Sequence, residues 1–235
     1  MSPKSLDVIN KTSVLLMAKS GSQRLPNKNL TEFGFEHNKT TLLEWKICQL
    51  LEVFPGERII LSSDSDAYLN LGARFNLTLH KREKELTDFG SFAENLRSVA
   101  KKAKTDLVMY ANGPCNPLIG PKRIVHFLES VLPQFLDEGV FAVEQLKGFH
   151  TYRESWLNFE PGENHLGSER LLNPSRICWA LTIRNRDKII ADGSMLSKFN
   201  SPYVVPNWAA TDIDYLEDLH LAERYLDKYL EYEST

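Results

Sequence analysis

An apolar run at residues 14–18, VLLMA, passes directly into the loop KSGSQRLPNKNL at 19–30. A short apolar run that ends in turn-forming residues predicts a buried β-strand, and a loop of small and cationic residues directly after it indicates an anion site. The chain must therefore fold so that one end of this strand stays open to a ligand. We expect the loop to bind phosphate.

Residue type and spacing in the loop support phosphate binding. Small residues let backbone N–H groups approach a ligand, and nearby cations, above all a forked guanidinium, bind phosphate oxygens. The small residues are Ser20, Gly21 and Ser22, and the cations are Lys19, Arg24 and Lys28. The loop lacks the GxxxxGK[ST] and GxGxxG patterns of other phosphate sites. On charge alone, a solvated basic loop is an equally open interpretation.

The rest of the chain alternates strand-like apolar runs with amphipathic helical ones. After a polar, turn-rich stretch at 31–39, the predicted helices are at 42–53, capped by Thr40 or Thr41, 67–75, 92–104, 121–136 with a bend at Pro133, 186–190 and 215–231. The predicted strands are at 58–62, 77–80, 106–111, 140–143, 177–183 and 203–205. Such alternation predicts an α/β fold with a parallel sheet.

The periodicity fails at 148–175, where aromatic residues mix with turn residues. A structureless stretch of this length is uncommon inside a domain unless it is functional. We therefore expect one domain, 1–235, from which 148–175 departs as an excursion or small subdomain.

Composition limits the partners and the compartment. The 28 basic and 31 acidic residues give a net charge of −3, which offers no reason to expect nucleic-acid or membrane binding. Cys48, Cys115 and Cys178 are odd in number and widely spaced, so neither a disulfide framework nor a zinc site is indicated. The first residues lack the apolar core of a signal peptide, and no apolar run approaches eighteen residues, so we expect a cytoplasmic protein.

Two aspartates precede the closing helix, at Asp212 and Asp214. Residues two apart in an extended segment point to one side, and a carboxylate pair suits Mg²⁺, which completes its shell with water and phosphate oxygens. Alternatively, Asp214 caps the helix and Asp212 is exposed. Asp64 and Asp66 have the same spacing, but they stand at a predicted helix start, where capping is the expected role.

A turn, NGPCNP at 112–117, follows the strongly apolar strand predicted at 106–111. Ligands bind at the carboxyl ends of strands in open α/β sheets. We therefore expect this turn to lie at the same edge of the sheet as the cationic loop.

Four segments together resemble the cytidylyltransferases that activate acidic nine- and eight-carbon ulosonic sugars, the group of CMP-sialic acid and CMP-3-deoxy-octulosonate synthetases. These segments are AKSGSQRLPNKNL at 18–30, RIILSSDSD at 58–66, PCNPL at 114–118 and ATDIDYLEDLHLAE at 210–223. The similarity runs in order over most of the chain and is weakest at 148–175. It implies a three-layer, GT-A-like nucleotidyltransferase fold with a mostly parallel central sheet and a small projecting subdomain. It also implies that the protein is a homodimer, formed through this projecting element.

The resemblance also implies roles for individual residues. It assigns nucleotide contacts to the loop and to the turn, Mg²⁺ to the aspartate pair, and a cation in the excursion to the sugar carboxylate. The nucleotide contacts are Ser20, Gly21, Ser22, Lys28, Asn29, Arg82, Asn112, Gly113 and Cys115; the metal ligands are Asp212 and Asp214; and the sugar-side cation is Arg153.

Three positions depart from the sialic acid enzymes. Ala18-Lys19 stands where Ala-Arg is common, which keeps the charge and loses the fork. The turn reads Gly113-Pro-Cys-Asn-Pro in place of Gln-Pro-Thr-Ser-Pro, and Cys178-Trp179 replaces an Asn-Gly pair. The triphosphate and metal positions are kept better than the sugar positions, so the activity class is better supported than the acceptor.

The resulting hypothesis is transfer of CMP from CTP to an acidic sugar with release of pyrophosphate. Lys19, Arg24 and Lys28 would stabilise the triphosphate, and Mg²⁺ on the aspartate pair would lower the pKa of the attacking hydroxyl. It requires that the cationic loop and the aspartate pair face each other across one cleft.

Alternatives remain open. One is a nucleotidyltransferase with another acceptor, such as a phosphonate or a different sugar acid, and another is a degenerate member that binds nucleotide without catalysis. A glycosyltransferase that uses the DxD pattern is less well supported, because its metal motif usually lies mid-chain.

Overall fold

A seven-stranded sheet forms the centre of the computed structural model, which describes residues 3–83, 86, 91–163, 165–200 and 202–235. From edge to edge its strands, numbered in chain order, are β11 (Tyr203–Val204), β7 (Val140–Gln145), β10 (Ser175–Asn185), β6 (Leu107–Ala111), β1 (Thr12–Met17), β4 (Ile59–Ser63) and β5 (Thr78–Lys81). Neighbouring strands run parallel, except that β10 is antiparallel to both β6 and β7.

Eight α-helices are present in the described ranges. They are α1 (Pro3–Asn10), α2 (Leu42–Leu51), α3 (Asp66–Arg74), α4 (Phe92–Ala100), α5 (Pro121–Ser130), α6 (Arg186–Asp192), α7 (Leu216–Arg224) and α8 (Leu226–Ser234). Within these ranges, every helix is too short or too polar to span a lipid bilayer.

The central strands bury side chains on both faces of the sheet. In β1, Val14 and Leu16 belong to one apolar cluster with residues of α2 and α5, whereas Leu15 belongs to another with residues of α4 and α6. All three are fully buried, and each such side chain stabilises the fold by roughly 1.5–3 kcal/mol. Because both faces need cover, the strands read as continuous apolar runs. The predicted α/β fold with a mostly parallel, sandwiched sheet is confirmed.

The stretch at 31–39 is a β-hairpin, which the sequence analysis did not predict. Its strands are β2 (Glu32–Phe35) and β3 (Asn38–Thr41). Phe33 is fully buried against Trp45 of α2, with ring centroids 5.1 Å apart. Polar neighbours hide this short alternation in the sequence. The N-terminal helix α1 was also missed, although it buries Val8 and Ile9.

Two predicted helices extend well past their observed ends, and a third is divided in two. Helix α4 ends at Ala100 and not at 104, and α5 ends at Ser130 and not at 136. Leu132 is extended because it precedes Pro133, which starts a short 3-10 turn. The closing helix is divided at Tyr225 into α7 and α8.

The division of the closing helix also changes its buried stripe. The spacing of apolar residues in 215–231 predicts one buried stripe of Leu216, Leu219, Ala222, Leu226 and Leu230, but Leu216 and Leu230 are 50% and 44% exposed. Tyr229 is buried with Leu219, Ala222 and Leu226. The break at Tyr225 resets the helical register, so a single 3.6-residue period does not describe the segment.

Residues 148–175 contain a small hairpin of β8 (Thr151–Tyr152) and β9 (Ser155–Trp156). Aromatic rings cluster beside it: Phe149, Trp156, Phe159 and His165 lie within 4.8–5.6 Å of one another, centroid to centroid, in the contacting pairs. Tyr152 and Trp156 are nevertheless 62% and 55% exposed. We call residues 148–175 the arm. That residues 1–235 form one domain, and that the arm has a function, remain predictions.

Candidate active site

A cleft of about 640 Å³ opens where β1 and β6 end. These strands are parallel neighbours, so the loop after β1 and the turn after β6 lie at the same edge of the sheet. The structure thereby brings eight of the predicted residues to one cleft: Lys19, Ser20, Gly21, Ser22, Arg24, Lys28, Asn29 and Cys115.

Asp64 holds the first turn of the loop in place. Its carboxylate accepts hydrogen bonds from the Ser20 N–H at 2.8 Å and from the Ser20 hydroxyl at 2.5 Å. Burial favours a higher pKa for Asp64, but the Ser20 hydrogen bonds outweigh it, and the pKa lies below its ordinary value. Asp64 thus anchors the loop, and the expectation that it caps α3 is wrong. It was missed because the contact joins two loops 44 residues apart.

Backbone conformation and a second anchor complete the loop. Gly21 has a φ of 68°, in the left-handed region that favours glycine. The side-chain amide of Asn29 donates a hydrogen bond to the carbonyl of Lys19 at 2.9 Å, which closes the loop across its base. The loop is therefore held before any ligand arrives.

Asp214 forms ion pairs with two cations of the loop. Its carboxylate lies 2.7 Å from the Arg24 guanidinium and 3.2 Å from the Lys28 ammonium. The Lys28 side chain is only 12% exposed against 56% for Arg24, so water screens the Lys28 pair less. The cationic loop therefore contacts the Asp-Ile-Asp segment at residues 212–214, as the hypothesis requires.

Lys28 also contacts the backbone of the Asp-Ile-Asp segment, residues 212–214. Its ammonium donates a hydrogen bond to the carbonyl of Ile213 at 2.7 Å. Burial favours a lower pKa for Lys28, but Cys115 and the Asp214 carboxylate more than offset it, so that the pKa is raised. Lys28 therefore carries its charge at neutral pH.

The Asp-Ile-Asp segment is clamped from both sides. Ile213 donates its N–H to the carbonyl of Cys115 at 2.8 Å, and the Asn116 amide donates to the carbonyl of Thr211 at 3.1 Å. Asp218 accepts from the N–H groups of Asp214 and Tyr215 at 3.0 and 2.8 Å. The capping acid of α7 is thus Asp218, and Asp214 is left to face the cleft. An acid three residues after the cap was the available signal for Asp218.

Asp212 has a buried oxygen without a protein partner. Its Oδ1 makes no hydrogen bond among the described residues. Burial, and then repulsion from Asp214, raises the pKa of Asp212. Both aspartates line a cavity of about 390 Å³ beside the cleft. A cation at this position would satisfy the orphaned oxygen and relieve the repulsion, so the pair fits the predicted Mg²⁺.

A cluster of three or more His, Cys, Asp or Glu side chains able to hold a metal is absent from the described part of the chain. Mg²⁺ keeps waters and substrate oxygens in its shell and takes only one or two protein carboxylates. A site of two carboxylates would be completed by a phosphate ligand.

Three predicted nucleotide contacts lie beside the cleft. The Arg82 guanidinium is buried and donates to the carbonyl of Ser62 at 3.2 Å. Asn112 accepts a hydrogen bond from the Tyr110 hydroxyl at 3.1 Å and lines a separate cavity of about 330 Å³. Gly113 opens the short 3-10 turn Gly113–Cys115. Among the residues whose side chains the structure describes, Arg82 and Asn112 are not part of the lining of the main cleft.

Arg153 lies away from both cavities of the site. It occupies the tip of the β8–β9 hairpin with a φ of 55°, and its guanidinium lies 5.5 Å from the centroid of the Tyr152 ring. A different arginine, Arg176, lines the cavity of the aspartate pair and forms an ion pair with the buried Glu144. Sequence reasoning missed Arg176, since nothing local distinguishes the first residues of β10.

Comparison with solved structures supports the architecture. A CMP:2-keto-3-deoxy-manno-octonic acid synthetase complexed with CTP is similar with a TM-score of 0.62 and 14% identity, over 93% of this chain and 99% of that chain. A 4-diphosphocytidyl-2C-methyl-D-erythritol synthase from Anaerococcus prevotii gives 0.58 and 13%, over 94% and 99%. A cytidylyltransferase from Leptospira borgpetersenii gives 0.58 and 15%, over 94% and 91%. At these identities the likeness shows the fold alone.

No curated protein sequence matches the chain. A family model described as cytidylyltransferase matches residues 13–160, which include the cationic loop, Asp64 and the turn after β6. Together with the site at the ends of β1 and β6, this confirms the predicted family. The chain belongs to the cytidylyltransferase family.

Proposed function

We propose that the chain transfers CMP from CTP to a hydroxyl of an acidic ulosonic sugar, with Mg²⁺, and releases pyrophosphate. The observation that carries this proposal is the contact of Asp214 with both Arg24 and Lys28 at the edge of one cleft. Cations for a triphosphate and carboxylates for a metal are thereby adjacent, which is what nucleotidyl transfer needs.

The cationic loop supplies charge for the triphosphate. Lys19, Arg24 and Lys28 all line the cleft, and Gly21 leaves room for phosphate oxygens near the backbone. Without ligand, Arg24 and Lys28 are held by Asp214; with CTP bound, they would turn toward the phosphates. At about 4 Å, opposite unit charges gain on the order of 4 kcal/mol at an effective dielectric near 20. The largely buried Lys28 therefore matters more to the rate than the exposed Lys19 and Arg24, whose charges water screens.

Asp212 and Asp214 are the residues that would hold Mg²⁺. The ion would neutralise charge on the phosphates and lower the pKa of the acceptor hydroxyl. The orphaned Asp212 oxygen and the repulsion between the two carboxylates support this assignment.

The chemistry is a displacement at the α-phosphorus. The acceptor hydroxyl loses its proton to solvent, and its oxygen forms a bond to the α-phosphorus. The bond from that phosphorus to the bridging oxygen breaks, and pyrophosphate leaves with the electron pair. Such a step depends on positioning and charge neutralisation more than on covalent help from the protein. The clamped Asp-Ile-Asp segment and the anchored loop provide that positioning.

The acceptor would bind in the cavity on the far side of the aspartate pair. Arg176 lines that cavity and is 59% exposed at its side chain, so its guanidinium is available to a carboxylate of the acceptor. Thr211 and Asn207 line the same cavity and offer hydrogen bonds to sugar hydroxyls. Arg153, the sugar-side cation that the resemblance implies, does not line this cavity.

The arm suits the dimer implied by the resemblance. Tyr152, Trp156 and Leu157 are each more than half exposed on one small hairpin. Exposed apolar patches of this kind mark association surfaces. We take a second copy of the chain as its partner.

The test is a pyrophosphate-release assay with Mg²⁺, CTP and a panel of ulosonic acids. We expect release that needs an acceptor from the panel, falls on removal of Mg²⁺ with a chelator, and is weaker with ATP, GTP and UTP. Release only with a phosphonate or another sugar acid would favour a different acceptor. Heat stabilisation by CTP without release on any acceptor would favour a nucleotide-binding protein without catalysis.

A further inference from the structure

A second cavity of about 640 Å³ lies between α5, α8 and the edge strand β11, away from the proposed active site. Its wall contains three aromatic rings, those of Tyr203, Trp208 and Tyr232. We call it the aromatic cavity. The described residues that line it have no role in the cytidylyl transfer outlined above.

Arg123 forms the buried floor of the aromatic cavity. It is only 4% exposed, and its Nε has no hydrogen-bond partner among the described residues. Its guanidinium carbon lies 3.9 Å from the centroid of Tyr232 and 5.5 Å from that of Trp208. Arg123 also makes a side-chain hydrogen bond with Tyr203. Its Nε–H is still unsatisfied, and a buried cation with an unsatisfied donor is costly unless an anion joins it.

Two further cations surround the same rings. The Lys122 ammonium lies 4.9 Å from the centroid of Tyr232, and that of Lys228 lies 5.6 Å from the centroid of Trp208. In the described part of the chain, neither lysine nor Arg123 has a carboxylate within ion-pair distance. The carboxylate of Glu233 acts on Arg123 from further away, and one of its oxygens accepts the Lys122 N–H at 2.9 Å.

The chemistry of the lining selects the ligand. Of the cations, Arg123 and Lys228 line the cavity, and neither has an ion pair among the described residues, so they attract an anionic group. A guanidinium with a free N–H binds phosphate. Aromatic rings with Val204 and Pro206 offer contact to a flat, apolar group, and Glu231 at the rim accepts from a hydroxyl or an amine. The volume also suits a ligand of nucleotide size.

We propose that the aromatic cavity is a binding site for a nucleoside phosphate, distinct from the catalytic cleft. The phosphate lies against Arg123 and Lys228, and the base lies against Trp208 and Tyr203.

The proposal is tested by titration calorimetry with AMP and UMP on the Lys28→Met protein, in which the catalytic cleft has lost its buried cation. We expect binding in about the micromolar to millimolar range, and quenching of tryptophan fluorescence that Trp208→Phe removes. Adding Lys228→Glu should weaken this binding by about tenfold or more. Arg123→Lys keeps the buried charge but loses the paired N–H donors of the guanidinium, so it should also weaken binding.

The matched control is Lys101→Glu, which makes the same charge change at an exposed lysine after α4, on the opposite face of the sheet. It should leave the binding unchanged, and Lys228→Glu in the otherwise unaltered chain should leave pyrophosphate release unchanged. Absence of binding by both nucleotides, binding that ignores Lys228→Glu, or inorganic phosphate that binds as tightly as AMP would each overturn the proposal. None of these results bears on cytidylyl transfer, which the pyrophosphate assay reports separately.

Discussion

The carboxyl of Asp212 lies in surroundings that oppose its charge. It is largely buried, one oxygen lacks a protein partner, and Asp214 stands two residues away. A purely structural role does not explain a buried carboxylate with an unpartnered oxygen beside a second carboxylate. A bound cation would compensate for both the burial and the repulsion, as we propose for Mg²⁺. Perturbed groups in a cleft are typical of functional sites for this reason.

The substitution Asp212→Asn should stabilise the protein at pH 7. Because the folded-state pKa of Asp212 is raised, the folded chain holds its proton more tightly, and stability falls as pH rises from the ordinary aspartate pKa of about 3.9 through the raised value. Removing the charge should raise the melting temperature by about 2–4 °C per kcal/mol gained. Thermal unfolding at pH 7 and near pH 4 measures this.

The difference should shrink near pH 4, because protonation removes the buried charge; it is about half complete there in the unfolded chain and further advanced in the folded one. Mg²⁺ with CTP should stabilise the unsubstituted protein more than Asp212→Asn. Asp227→Asn on the exposed side of α8 is the control and should change little. A destabilised Asp212→Asn protein at pH 7 would contradict the account.

Asp64 holds Ser20 in place, and we expect it to affect nucleotide binding through that residue. The Asp64→Asn protein can accept only one of the two Ser20 hydrogen bonds, so the loop loses an anchor. We expect the KM for CTP to rise about tenfold, which corresponds to about 1.4 kcal/mol, while kcat changes less. Steady-state kinetics of pyrophosphate release measure the two constants.

Asp66→Asn provides the comparison, since Asp66 is exposed and pairs with Lys81 outside the cleft. Its KM should stay within about twofold of the starting value. Equal losses in both variants would remove Asp64 from the site.

At the scale of elements, helix α2 contains a fully buried lysine. The Lys46 ammonium donates to the carbonyl of Ile119 at 2.9 Å, and its burial lowers its pKa to about 7. The unfolded chain, with an ordinary lysine pKa of about 10.4, binds more protons between these values. Stability from this residue therefore rises with pH from about 7 to about 10, by up to about 1.4 kcal/mol per unit.

Lys46→Met should remove this pH dependence. Urea unfolding at pH 7 and pH 9 should give a free energy of unfolding whose rise with pH is smaller in Lys46→Met than in the unsubstituted chain. The exposed Lys101→Met should keep the full rise. If Lys46→Met and Lys101→Met respond alike, the ammonium of Lys46 is not held in the environment described.

Elements were predicted where one pattern dominates. Strand β6 is apolar throughout, and α5 begins at its proline, so both were located from the sequence. Hairpin β2–β3 was missed because Phe33 is its only fully buried aromatic residue and its neighbours are polar. The antiparallel direction of β10 was not predictable either, since its connection to β7 through the arm has no local signature.

The residues of the candidate site likewise divide into those with a distinctive local sequence and those without one. Lys28 and Asp214 were found because each lies beside a strand end or helix start with a distinctive local sequence. Asp64, Asn116 and Arg176 were missed because their partners lie 44, 95 and 32 residues away. Such contacts depend on strand order, which single-sequence patterns do not give.

For the whole molecule, the arm predicts a dimer. Light scattering after gel filtration should give about twice the chain mass of 26.9 kDa. Trp156→Glu places a charge on the exposed hairpin and should give the single-chain mass with an unchanged fold. Leu132→Glu, at an exposed leucine next to α5, should stay dimeric. A monomeric unsubstituted chain would refute this arrangement.

The central claim is that the cationic loop and the aspartate pair act as one site on one triphosphate. A double-mutant cycle of Lys28→Met and Asp214→Asn on kcat/KM for pyrophosphate release tests it most directly. We predict that each single variant loses about 100-fold or more in kcat/KM. The kcat/KM of the double variant should be no more than about tenfold below that of the less active single variant, because either change already disables the shared site. Near-normal turnover in either single variant, or losses that multiply as they do for independent sites, would contradict it.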